Sequence, residues 1–462
     1  MTLVKHRCED SPSLRLLLVR VFMIENSVAM QKHDAFLPAG DLAAAEVTRW
    51  DELTEYVTFH TKMASRCGIS TKFQFLHKPN TKGRDAERRA APREFSVGGS
   101  KGGPEDVETA NAIMAKVTPS APSAPLAECA RSFAKKLQRD SEHVSYLKQR
   151  NKFITFSIAT QGVPTAKEGQ SEADAFRDLR RELVALKGMP VKLIVRLCTN
   201  DEDTFSVYNK FDSMLEYCDV LDDFKGESME VYLHNPWLTY SLGLHRLREA
   251  GLAWKGLGEL DERTFTLDEI HKLCTELFGM DRRDLPRPGD DWDGFVEALH
   301  RLNKRESPQY SAVKKRKTSW IDLRKLESRK KDNRSSRSRS SRKSSQTGEL
   351  TLDDYVNNWA YDSSNGGSLR PLAVLLVTVE DTFPPYNKSV EPHDYFSGWR
   401  PLPEDVFEEC GEELHYLLKR SLRKIRMFLQ PDRVPADATE RQDALFRKLR
   451  GVFSKKSEQM SL

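Results

Sequence analysis

Short apolar runs alternate with amphipathic stretches over the first half of the chain, and this alternation is the feature that most narrows its possible folds. Leu14–Ile24 reads as a buried strand rich in Leu and Val. Trp50–Cys67 follows helical spacing through Trp50, Leu53, Val57 and Met63, with Gly68 as its stop. Ser70–Leu76 alternates through Phe73 and Phe75 as a second strand. Ala127–Arg150 reads as one long charged helix, and Lys152–Ala159 as a third strand. Glu172–Leu186 is a helix stopped by Gly188, Val191–Leu197 a further strand and Asp203–Tyr217 a further helix. Between them, Lys78–Gly103 is polar and rich in Gly and Arg, a long loop or hairpin insertion. Strands of this length and composition, separated by helices, predict a parallel sheet covered on both faces: an α/β class.

The chain has 462 residues, enough for two or three domains. Its net charge of +4 is unevenly placed. Lys314–Lys343 holds 14 Lys/Arg against 3 Asp/Glu, a local excess of 11 that leaves the remainder at −7. The basic character therefore belongs to one segment. That segment ends in Ser-Arg repeats, Arg334 to Arg342, which cannot bury a core and predict disorder. Beyond it lie the apolar run Leu369–Val379 and the strongly helical Phe407–Phe453. The expected organisation is a tail at 1–13, an α/β domain with a helical extension at 14–302, a disordered basic linker at 303–350, a connecting segment at 351–406 and a small helical module at 407–462.

Seven cysteines are scattered without zinc-ligand spacing, and the odd number argues against a disulfide framework. Reduced thiols, and an intracellular protein of nucleus or cytoplasm, are expected. No apolar stretch approaches the roughly 20 residues of a membrane span. Leu14–Ile24 carries Arg15 and Arg20 and leads to no small-residue cleavage site, so no signal peptide is expected.

Two corners carry a resemblance. Leu14–Ile24 runs into Glu25-Asn26-Ser27-Val28-Ala29, and Lys152–Ala159 runs into Thr160-Gln161-Gly162. Their order and placement resemble the von Willebrand factor type A (vWA) domain, over Leu14 to about Asp261. The resemblance implies a Rossmann-like fold with a divalent-metal corner built from Asp-x-Ser-x-Ser, a threonine and an aspartate. Mg²⁺ would need about six oxygens near 2.1 Å. Here Glu25 stands for the aspartate and Ser27 is kept. Ala29 has no oxygen, Ala124 matches the threonine (Ser123 if the alignment shifts by one), and Gln161 replaces the final aspartate. One carboxylate and one hydroxyl survive, so no cofactor is expected, Mg²⁺ being the ion that Glu25 and Ser27 would otherwise hold. The bland alternative is that Ser27 caps the following helix and Gln161 hydrogen-bonds across the corner.

The C-terminal region carries a second resemblance. Phe407, Leu414, Leu417, Leu418, Leu422, Ile425 and Phe428 define one helical face, opposed by Lys419, Arg420, Arg423, Lys424 and Arg426. Pro431 stops that helix. Thr439 with Gln442 fits a capping box opening a second helix. A helical hairpin with Gln430-Pro431-Asp432 in its loop is similar to a DnaJ-type J domain, over about Phe407–Lys455. The resemblance implies a basic face that docks a DnaK-type chaperone and a His-Pro-Asp loop that stimulates its ATPase. Gln430 stands for the histidine, so docking without stimulation is expected. An ordinary hairpin with a solvated basic face is the alternative.

Lys314-Lys315-Arg316-Lys317 resembles a nuclear-import signal, against a solvated linker as the plain reading. The Ser-Arg tract suits basophilic kinases and, without an aromatic platform inside it, suits RNA poorly. No nucleophile–base pattern, His-Glu-x-x-His, Gly-x-Ser-x-Gly or Walker loop is present. The expectation is a non-enzymatic scaffold for protein partners. The alternative is a metal-dependent ligand binder or an RNA-associated protein.

Overall fold

The computed structural model describes residues 17–37, 45–79, 91–99, 102–165, 170–199, 201, 204–205, 207–208, 217–251, 256–261, 263–328, 351–362, 368–384, 390–391, 393, 395, 399, 414–431 and 434–460. The chain forms two compact units. The first takes Met1–Glu227, Tyr240–Gly258 and His271–Leu285, and the second Ser228–Thr239, Glu259–Ile270 and Pro286–Leu462.

In chain order the first part reads β1 (Leu17–Ile24), an antiparallel pair β2 (His33–Leu37) and β3 (Ala45–Thr48), α1 (Arg49–Cys67), β4 (Ser70–Phe75) and β5 (Glu94–Val97). Then come α2 (Glu105–Lys116), α3 (Leu126–Arg139), α4 (Ser141–Gln149), β6 (Phe153–Thr160), α5 (Glu172–Val184), β7 (Val191–Leu197) and β8 (Cys218–Leu221). Six strands form one sheet in the order β5-β4-β1-β6-β7-β8. All pairings are parallel except that of edge strand β5 with β4. The expected mixed α/β architecture is present, with helices flanking a mostly parallel sheet.

Alternation along the strands feeds two cores. Phe22, Ile24, Phe73 and Phe75 pack with Leu53, Tyr56 and Val57 of α1. Met23, Phe156, Ile158 and Val195 pack with Phe133 of α3 and Leu179 of α5. The elements start and stop for local reasons. Thr48 and Asp51 form a capping box at the head of α1, and Gly68 closes its end with φ 62°. The expected single helix over 127–150 is broken at Asp140 (φ −104°, ψ 59°), whose side chain accepts the His143 N–H and so starts α4. Downstream of the sheet come α6 (Phe224–His234), α7 (Leu242–Glu249) and α8 (Leu267–Phe278).

The second unit corrects the domain plan. It contains α9 (Trp292–Arg305), a hairpin of β9 (Gln309–Ser311) and β10 (Arg316–Thr318), α10 (Leu352–Ala360), the short pair β11 (Tyr361–Asp362) and β12 (Ser368–Leu369), α11 (Leu372–Thr378), α12 (Leu414–Phe428) and α13 (Glu440–Met460). One core joins Met229 and Leu233 to Val356, Leu375, Leu417, Ile425, Phe446 and Phe453. The stretch at 351–399 and the C-terminal hairpin therefore share a core instead of forming a connector and a separate module. Residues 228–239 belong with them. The Asn235 amide donates to Leu260 O and Arg263 O, and Thr239 N–H donates to Trp320 O. The linker expected from 303 does not begin there, because 309–318 is a hairpin. The Ser-Arg tract lies outside the described residues.

The Thr439–Gln442 capping box is present in both directions, at 2.8 and 3.3 Å. Cys129, Cys198, Cys218 and Cys274 are free thiols, but Cys67 is disulfide-bonded, against the expectation of seven reduced cysteines. Among the described residues no helix is long and apolar enough to cross a membrane.

Candidate functional site

In the sheet, β1 and β6 are neighbours at the point where the strand order reverses. Open α/β sheets gather ligands at the carboxyl ends of such strands. Glu25 follows β1 there, and Gln161 follows β6. A third loop is drawn in by main-chain bonds, Val28 N–H to Ala121 O at 2.9 Å and Ser120 N–H to Asn26 O at 3.1 Å. Glu25, Ser27, Ala29, Ser123, Ala124 and Gln161 thus line a single cleft of about 290 Å³. The sequence-derived positions are brought together.

Their chemistry faces inward. The Glu25 carboxylate is fully buried. Ser27 Oγ donates to its Oε1, while Thr160 Oγ1 (2.5 Å) and the Gln161 N–H (3.0 Å) donate to its Oε2. Burial pushes its pKa up, and the bonds from Ser27, Thr160 and Gln161 only partly oppose this. Gly162, at φ 99°, donates its N–H to Thr160 Oγ1 at 2.9 Å. A Cβ at Gly162 would lie 2.3 Å from Thr204 Cγ2, so the corner requires glycine there.

Two details of the bland reading change. Ser27 precedes a 3₁₀ turn, Val28–Gln31, and makes no side-chain cap, because its hydroxyl serves Glu25. Gln161 crosses the corner with its main chain, while its side chain returns to Val163 O at 3.2 Å. The motif-matched positions do not fit Mg²⁺. Both Glu25 oxygens are engaged, and Ala29 and Ala124 offer no side-chain oxygen.

A nucleophile–base geometry exists that the sequence did not reveal. His77 Nε2 lies 2.9 Å from Ser123 Oγ. It also lies 3.0 Å from Ser123 O. A general base needs a bare Nε2, which would then face a carbonyl oxygen at hydrogen-bond distance. The protonated Nε2 satisfies both contacts, so we assign His77 as an anchor of the loop and not as a base.

A larger group also escaped the sequence reading. Arg196 of β7 donates to Glu249 of α7 (3.0 Å) and to Glu52 of α1. Arg246 reaches both Glu249 oxygens, at 2.7 and 2.6 Å, and also Glu55. The imidazoles of His60 and His245 lie 3.4 and 3.2 Å from the same Glu249 carboxylate. All but Glu55 are buried. Burial lowers the pKa of both histidines to about 4, despite the pull of Glu249. A signal for this cluster was present: Arg196 interrupts an apolar strand, and a charge inside a buried strand demands a buried partner.

The basic face of α12 is only partly a surface. Arg420 is buried and donates to Glu230 Oε1 from Nε (3.1 Å) and Nη2 (2.6 Å). Lys424 lies 3.5 Å from Glu230 Oε2 and donates to Asp261 O. Burial raises the Glu230 pKa, but Arg420, Lys424 and Arg423 outweigh it and hold the carboxyl well below its usual range. Lys419 and Arg426 are exposed, Arg426 donating to Ser457 Oγ at 3.1 Å, and Arg423 is half-buried. Gln430 ends the helix with its N–H on Met427 O, and Pro431 is exposed. Asp432 lies outside the described residues.

Lys314–Lys317 does not sit on a flexible tether. It forms the turn and second strand of the β9–β10 hairpin, with Lys314 Nζ 2.9 Å from Asp322 and Lys315 at φ 50°.

No protein-family model and no curated protein matches the chain.

Proposed function

We propose that the chain is a non-enzymatic interaction scaffold whose first unit is a vWA-like platform that binds protein without a metal. The strand order supports the resemblance, since it reverses between β1 and β6 as in doubly wound sheets. One observation carries the functional reading: both Glu25 oxygens are satisfied by Ser27, Thr160 and Gln161, which leaves neither free for a metal ion. The cleft walls include Ala29, Ala124, Val163 and Pro164, and Val28 stands 57 % exposed at the mouth. With the exposed Glu172 also on its lining, such a surface takes an apolar or basic side chain from a partner.

The test is a pair of titrations on the full chain. Mg²⁺ and Mn²⁺ are expected to give no heat of binding up to millimolar concentration. A photo-crosslinking residue at position 28 is expected to capture a cellular partner equally with and without chelator. Micromolar metal binding abolished by Glu25→Ala overturns the proposal.

The C-terminal hairpin keeps the outline of a J-like module but offers only part of its basic face. The reading that follows is a hairpin that closes the second unit's core and does not raise chaperone ATPase. A severalfold stimulation of a DnaK-type ATPase by the full chain would contradict it.

A further inference from the structure

The amino-terminal ends of β6 and β7, the edge of the sheet away from the Glu25 cleft, border a second pocket of about 290 Å³. Lys148, Lys152 and Lys187 line it, and no carboxylate does. Lys148 and Lys187 are exposed, and Lys152 is half-buried. None of the three has an acidic partner among the described residues. One wall is aromatic: the rings of Phe153 and Tyr217 lie 5.0 Å apart, with Tyr217 44 % exposed.

A plain explanation for such lysines is helix-end chemistry. Lys148 lies in the last turn of α4, and Lys187 lies three residues beyond α5. Each helix C-terminus carries roughly half a negative charge. Two of them offset about one of the three lysine charges, and about two remain unbalanced. Helix ends also do not account for the aromatic wall. Two excess positive charges match a phosphate dianion, and an exposed tyrosine ring beside them matches a planar base, the pairing by which proteins hold nucleotides without reading their sequence.

We infer that this pocket binds a phosphomonoester joined to a planar aromatic ring, of mononucleotide size, with the three lysines facing the phosphate and Tyr217 the ring. The inference is independent of the Glu25 cleft and of the scaffold reading. Long, mobile lysines at a surface give modest affinity that weakens with salt.

Calorimetric titration of the full chain with AMP, inorganic phosphate and adenosine tests it. AMP is expected to bind at least tenfold more tightly than either fragment, and 0.5 M NaCl to weaken it. Lys152→Glu with Lys187→Glu is expected to abolish AMP binding, with circular dichroism checking the fold. Tyr217→Ala is expected to reduce AMP to the affinity of phosphate alone. Should the charge reversal unfold the protein, Lys187→Gln at an exposed position carries the test, with a weakening of about fivefold expected. AMP binding no tighter than phosphate, or unchanged in Lys187→Gln, overturns the assignment.

Discussion

Glu25 and Glu230 are both buried carboxylates, yet their surroundings push them in opposite directions. Glu25 is held by two hydroxyls and one main-chain N–H, all neutral, and its pKa rises. Glu230 is held by Arg420 with Lys424 beside it, and its pKa falls. Neutral donors compensate lost hydration only in part, whereas adjacent cations overcompensate. The two regions share one lesson. Each keeps charged residues that the sequence reads as outward-facing function, and each turns them to internal use.

The largest expected effect comes from breaking the charged pair. Arg420→Ala leaves buried Glu230 with Lys424, 3.5 Å away, as its nearest cation and is expected to cost about 3 kcal/mol in the second unit, read as lost hydrogen-exchange protection in α12. Glu25→Gln keeps one acceptor but faces a donor with an amide, and is expected to cost only about 1–2 kcal/mol by urea unfolding. Equal losses in the two variants would break the comparison.

Acid sharpens it further. The folded pKa of Glu230 lies below its unfolded value. Its contribution is complete above the unfolded carboxylate range and is lost as pH falls through that range toward the folded value. Glu25 has the opposite sign. Its pKa is higher folded than unfolded, so its penalty is greatest above the raised pKa and is relieved as pH falls through it. The pH slope of stability above the usual carboxylate range should therefore change in Glu25→Gln.

His60 and His245 are neutral when folded and titrate near 4, against 6.5 unfolded. Each withdraws on the order of 3 kcal/mol as pH falls between those values. The double substitution His60→Gln, His245→Gln should flatten that part of the urea-midpoint profile. The smallest effect is expected at the cleft rim. His77→Ala removes a loop anchor and should cost about 1 kcal/mol. A far larger loss would mean that His77 holds more than that loop.

Much of the sheet was legible because its strands are locally encoded. Val191–Leu197 was delimited correctly, and β4 and β6 to within about a residue at each end, by apolar runs that strand geometry needs. Glu25, Ala124 and Gln161, far apart in sequence, line one cleft. The direction of each side chain was not legible. Whether Ser27 capped a helix or served Glu25 depended on Thr160 and Gln161, more than 130 positions away. Arg420 looked like surface because the spacing of α12 put it opposite the apolar stripe, and only Glu230, 190 positions earlier, explains its burial.

The sequence by itself determined the α/β character and the positions of the central strands β1, β4, β6 and β7 and of the helices beside them, because local conformational preference is a property of the residues themselves. Only the tertiary structure decided which charges are surface and which are core. It also decided that 228–239 folds with the C-terminal hairpin, and that Glu249 gathers two arginines and two histidines. Those outcomes rest on burial and on pairing between distant positions, where a charge is tolerated only if its partner arrives with it.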